Sequence, residues 1–187
     1  MSFWNTSDGE SVSAEKEYEA PSGDLTPIPD NTDVMAYIDE AKWDDRDGAE
    51  YISLRWRVAK PEAYKNRVIF QKLWALGNNP MAKDAEKAKK QGDTAKRMLA
   101  AIDANAGGEL MTINGKPSAE DLQRCLSQKM MVIKLKAWEM TGNQGDKMTG
   151  NWICAVSPKT KGVSETVAPA PAQKSASVDD DIDSIPF

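Results

Sequence analysis

The stretch Ala49–Lys60, AEYISLRWRVAK, alternates along its length: Ile52, Leu54, Trp56 and Val58 fall on one side of an extended chain, Tyr51, Ser53, Arg55 and Arg57 on the other. Side chains of a strand repeat every two residues, so this run predicts a strand with an apolar face and a face that joins a ring to cations. Upstream, Val34, Ala36 and Ile38 alternate with Met35, Tyr37 and Asp39, and Trp43 follows. DDRDG at 44–48 separates the two runs and offers Gly48 for a positive φ, which predicts an antiparallel hairpin. Pro61 stops the second strand because it lacks an N–H for the ladder. Arg67–Leu76 predicts a third strand, with Val68, Phe70, Lys72 and Trp74 opposite Ile69, Gln71, Leu73 and Ala75.

The middle of the chain is helical in pattern. Asn79 and Pro80 suit a helix start, and 81–91 is rich in Ala, Lys and Glu. Gly92-Asp93 predicts a break before a second helix carrying Ala95, Met98, Leu99, Ile102 and Ala106, which Gly107-Gly108 ends. Ser118 with Asp121 three residues on predicts the cap of a short helix over 118–126. Lys129–Met140 returns to alternation: Met131, Ile133, Leu135 and Ala137 against Met130, Val132, Lys134, Lys136 and Trp138. A glycine-bearing loop at 142–150 precedes a last short strand, 151–156, in which Trp152, Cys154 and Val156 share the core face. Three strands, a helical insertion and two strands predict a mainly β fold with a helical insertion. This is the element order of an OB-fold, a five-stranded antiparallel Greek-key barrel. An open α+β sheet of the same order is the alternative.

A chain of 187 residues holds one ordinary domain plus tails. The boundaries read as an acidic N-terminal arm over 1–30, a folded domain over 31–158 and a linker with an acidic tail over 159–187. The tail composition predicts disorder, because it offers too little apolar surface to offset ordering entropy. The net charge of −5 is unevenly spread: 1–30 carry −6, 31–163 carry +5 and 164–187 carry −4. A basic middle between acidic ends points to an anionic ligand for the domain and to interaction tails at its flanks. With no histidine, histidine-dependent nucleophilic catalysis in cis is excluded. Cys125 and Cys154 match no zinc or redox spacing, and no cofactor or metal is expected. No apolar run is long enough for a membrane span, and the opening residues lack a secretory pattern, so a cytoplasmic location without membrane contact is expected.

Sequence-independent capture of single strands needs cations for phosphates and rings for bases. The predicted strands interleave the two. Arg55 and Arg57 share a face with Tyr51, Lys72 lies between Phe70 and Trp74, and Lys134 and Lys136 lead to Trp138. Trp43 sits at the first hairpin beside Lys42 and Arg46, and Tyr37 fits either face. Unpaired cations must look outward, because burying them is costly. The expected nucleic-acid-binding set is therefore Tyr37, Trp43, Tyr51, Arg55, Arg57, Phe70, Lys72, Trp74, Lys134, Lys136 and Trp138.

The chain closes on DDDIDSIPF, in which Asp179, Asp180, Asp181 and Asp183 lead to Ile185, Pro186 and Phe187. This resembles the tail of bacterial and phage single-stranded DNA-binding proteins, although Ser184 stands where that family usually has an acid. The opening MSFWNTSDG resembles the start of a family of small phage-encoded proteins. The resemblance implies a non-catalytic single-stranded DNA-binding protein in a bacterial host cytoplasm. It also implies that these seven tail residues recruit replication or recombination partners. Two other functions fit parts of the sequence: an interaction or strand-annealing accessory with no DNA groove of its own, and a metal-dependent nuclease built on the acids of 39–50. Oligomeric state is not legible.

Overall fold

A computed structural model of the protein describes residues 26–141 and 147–161. Most of the acidic arm, the loop 142–146 and the tail with its expected partner-binding residues Asp179–Phe187 lie outside the described residues. Five strands, β1 Thr32–Arg46, β2 Ala49–Lys60, β3 Val68–Leu73, β4 Met131–Thr141 and β5 Lys147–Ser157, form one antiparallel sheet in the order β3-β2-β1-β4-β5. Two helices, α1 Ala85–Ala106 and α2 Ala119–Leu126, lie between β3 and β4 in the chain. The mainly β fold with a helical insertion is thus as the alternation predicts.

The expected closed barrel is not formed. β3 and β5 are the edge strands and come close to each other, yet they share no ladder. Side chains occupy the joint: Trp152 of β5 stands among residues of β3. α1 packs on both strands and bridges them instead.

Alternation builds the core. Ile52, Leu54, Trp56 and Val58 of β2 meet Val34, Ala36 and Ile38 of β1 and Ile133 and Leu135 of β4, with Leu122 and Leu126 of α2 and Ile102 of α1 in the same cluster. Trp56, fully buried, donates its indole N–H to Gln71 Oε1 at 3.0 Å, so the core holds a paired polar group. Ile28 also belongs to this core, so the chain joins the fold ahead of β1. The first hairpin turns on Asp47 and Gly48, both at positive φ, which matches the twist of the flanking strands.

The helical insertion departs from expectation at Gly92-Asp93, where α1 runs on unbroken. Gly92 is not a breaker here. A Cβ on it would lie 2.6 Å from the Gly77 Cα, so its absence lets the loop after β3 lie against the helix. The N-cap is Asp84, whose carboxylate accepts the Lys87 N–H at 2.7 Å, rather than Asn79. Asn79 is buried and braces the loop, accepting from Met81 N and donating to Gln91. In α2 the Ser118–Asp121 capping box forms as predicted.

Two register shifts decide which way the later rings point. In β1, Ile38 faces Trp56 and Glu40 faces Arg55, so Asp39 is an extra residue. In β5, Leu135 faces Ile153 and Lys134 faces Ala155, so Cys154 is extra. A bulge reverses the inward and outward assignment beyond it.

Candidate nucleic-acid interface

The outer face of β1–β3 carries several of the expected residues, with their charge largely spent internally. Arg57 and Arg55 both donate to Asp39 Oδ2, at 2.8 and 3.1 Å, and Arg55 also reaches Glu40 at 3.2 Å. The β1 bulge turns both carboxylates to this side. The Arg57 hydrogen bond and the charges of Arg57 and Arg55 hold the Asp39 carboxyl below its ordinary range, and Asp39 raises Arg57 in return. Tyr37 lies opposite Arg57, and its ring is half-buried. Phe70, opposite Arg55, is 68% exposed and stands free of the core.

Four expected contact residues are placed otherwise than the alternation suggests. Trp43 follows the β1 bulge and so faces Ile52 on the core side. Its indole N–H donates to Pro117 O at 2.8 Å, and Lys116 Nζ sits 4.2 Å from the ring centre. Trp74 lies beyond the end of β3 and is 1% exposed, packed at 4.8 Å against the Tyr51 ring, itself 6% exposed. These two rings and Ala49 form a small separate cluster, and Trp74 also belongs to the wall of a cleft between β3, β5 and α1. Tyr51 also donates to Asp44, and burial, with Asp44 next, pushes its hydroxyl above the usual value. Lys134 faces Asp33 across the ladder.

The remaining expected residues gather at the joint between β3 and β5. Two clefts open there, of about 540 and 910 Å³, and Trp152 lines both. The smaller runs between β3, β5 and α1 and carries Lys72, Lys87 and Lys90. The larger carries Phe70, Trp138, Lys65 and Arg67. Neither lining contains a carboxylate. Lys65 and Lys90 make exposed ion pairs with Glu62 and Glu86 at the rim, contacts that water screens and an incoming phosphate can replace. Lys136 Nζ lies 5.6 Å from the Trp152 ring, and Lys72 Nζ lies 5.1 Å from Tyr51. Trp138 is seated flat on Gly150, where a Cβ would fall 2.6 Å from the indole. The groove thus presents three rings, Phe70, Trp138 and Trp152, with cations along both sides.

Alternation assigns Trp152 to the core, and the structure corrects this. Across the ladder it partners Lys136, on the outer side, because the extra Cys154 separates its orientation from that of Val156. Lys65, Arg67, Lys87 and Lys90 are further groove residues that the strand pattern does not single out. Lys87 and Lys90 sit three apart on one helix, a spacing that shares a face, but only the packing of α1 across the joint brings that face to the strands.

Among the described residues no three His, Cys, Asp or Glu side chains converge on a point where a metal ion could be held, and no helix is long and apolar enough to cross a membrane. Cys125, on the buried side of α2, has its thiol pushed up by that burial, away from reactivity. No known family model and no curated protein matches this chain.

Proposed function

We propose that this protein binds single-stranded DNA without catalysis and largely without regard to sequence, coating and protecting it, through the groove between β3 and β5. The observation that carries this reading is the composition of the groove: three rings that are not buried, beside the buried Trp74, and five lining cations, with no carboxylate in either cleft. Bases have π-faces whatever their identity, so rings bind them indiscriminately, and the cations track the backbone. Each cleft falls within the roughly 300–1,000 Å³ range of small-molecule sites, enough for a base with its sugar. The sheet order, with β1 between β2 and β4 and the outer edges brought together, supports an OB-like, partly open Greek-key architecture. In the same proposal the tail residues Asp179, Asp180, Asp181, Asp183, Ile185, Pro186 and Phe187 recruit replication or recombination proteins, acting in a bacterial cytoplasm.

The test is a titration of tryptophan fluorescence with an oligo-dT, a duplex of equal length and a matching RNA, at 50 and 300 mM salt. The oligo-dT is expected to quench the signal, less so at the higher salt, and a Trp138→Phe/Trp152→Phe variant is expected to lose most of the quench. Absence of oligo-dT binding at 50 mM salt sinks the proposal. Magnesium-dependent loss of the oligonucleotide, abolished by Asp45→Ala, would favour the nuclease alternative.

A further inference from the structure

The chain enters the fold across the mouth of the groove. Arg67, just before β3, donates its Nη1–H to the Thr26 carbonyl. Two residues on, Ile28 is locked to β5: its N–H donates to Asn151 Oδ1 at 2.8 Å and its carbonyl accepts from Asn151 Nδ2 at 2.7 Å. Thr26–Ile28 therefore straps the two unladdered edges together, and Pro27 and Ile28 form part of the larger cleft. Thr26, the first described residue, lies at this rim beside Arg67.

Residues 1–25 hold six acids, Asp8, Glu10, Glu15, Glu17, Glu19 and Asp24, against the single Lys16. They also hold three rings, Phe3, Trp4 and Tyr18. The groove they adjoin offers the complementary set, cations and rings without carboxylates. Reach is ample. Twenty-five residues span about 25–30 Å even at random-coil dimensions, whereas a strand of the length of β3 spans about 20 Å. Tethering holds such a segment near the groove at an effective concentration on the order of millimolar.

We propose that the acidic segment 1–25 docks in the β3–β5 groove of its own chain and must be displaced before a nucleic acid enters. The competition rests on the nucleic-acid reading of the groove; the docking itself does not. The segment raises the apparent dissociation constant for a single strand by one plus the ratio of its effective concentration to its own dissociation constant. With a millimolar tether and weak intrinsic affinity, that factor is about two- to tenfold.

The experiment compares the full chain with a full-length variant carrying Asp8→Asn, Glu10→Gln, Glu15→Gln, Glu17→Gln, Glu19→Gln and Asp24→Asn, and with a chain lacking residues 1–24. Indole N–H resonances are followed by NMR, and binding of a 15-nucleotide oligo-dT by anisotropy. Both variants are expected to shift the Trp138 and Trp152 resonances while leaving Trp43, bonded to Pro117, in place. Salt at 0.5 M is expected to shift the full chain the same way. The variants are expected to bind oligo-dT two- to tenfold more tightly at 50 mM salt. Unmoved Trp138 and Trp152 resonances overturn the docking, even if affinity rises, because long-range charge alone then accounts for the gain. If the resonances move but no chain binds oligo-dT, the docking stands and the DNA reading falls.

Discussion

Phe70→Ala tests the groove with little risk to the fold. The ring is 68% exposed on β3 and belongs to neither apolar cluster. Surface substitutions of this kind usually change stability by no more than about 0.5 kcal/mol, so the melting temperature should stay within a few degrees. Its removal takes away one stacking platform of the larger cleft, where it stands with Trp138 and Trp152. Stacking on a ring is worth about 1–3 kcal/mol per base, and about 1.4 kcal/mol is tenfold in affinity. The variant should therefore bind oligo-dT roughly 5- to 150-fold more weakly. Anisotropy of a labelled oligo-dT at fixed salt measures the loss, and thermal unfolding monitors the fold. The salt slope should not change, because no phosphate contact has been removed. A Phe70→Ala protein that binds as the parent does would refute the assignment of this cleft. So would a loss matched by unfolding, since the ring would then be structural.

Lys72→Gln should lower the magnitude of the log–log salt slope by about 0.7, the value for one phosphate contact on a single strand, whereas Lys116→Gln, whose ammonium pairs with Glu50 and sits over Trp43, should not; equal slopes in all three proteins would remove Lys72 from the groove. Gly92→Ala should cost about 1–3 kcal/mol in urea unfolding, because its Cβ meets the Gly77 backbone rather than a yielding side chain. Gln71→Leu should cost a similar 1–3 kcal/mol by leaving the Trp56 indole N–H buried without an acceptor, and an unchanged urea midpoint would count against that bond. The depressed Asp39 carboxyl stabilises the folded state above the ordinary carboxylate range, and this contribution is lost as pH falls through its lowered value. Asp39→Asn should therefore flatten part of the acid limb of a stability-versus-pH curve; superimposable limbs would show that the Arg57 bond contributes nothing.

Strand identity, the existence of a helical insertion and most of the core are legible because period two and period 3.6 survive in the sequence. Trp56 shows this best: its place after Ile52 and Leu54 puts it in the core, where it lies. The misplacements have local causes. Trp43 and Trp152 lie beside bulges, and a single extra residue, Asp39 or Cys154, is invisible to alternation yet reverses the facing of its neighbours. Trp74 departs for another reason: β3 ends at Leu73, so its period no longer governs the next side chain. The pairing of Arg55 and Arg57 with Asp39 depends on the same bulge in β1. Gly92 reads as a helix breaker on its own, and only the proximity of Gly77 explains it. The groove joins elements distant in the chain, and no local pattern encodes that.

The strap of Thr26–Ile28 has a mechanical consequence. Where two strands are laddered, prising them apart breaks a row of backbone hydrogen bonds together. Between β3 and β5 the described residues form no such row, so widening the gap works against side-chain packing, α1 and the bonds of Arg67 and Asn151. The sheet therefore behaves as a spring clip whose stiffness is set at one end. Loosening Asn151 should make the jaws more compliant without dissolving any strand.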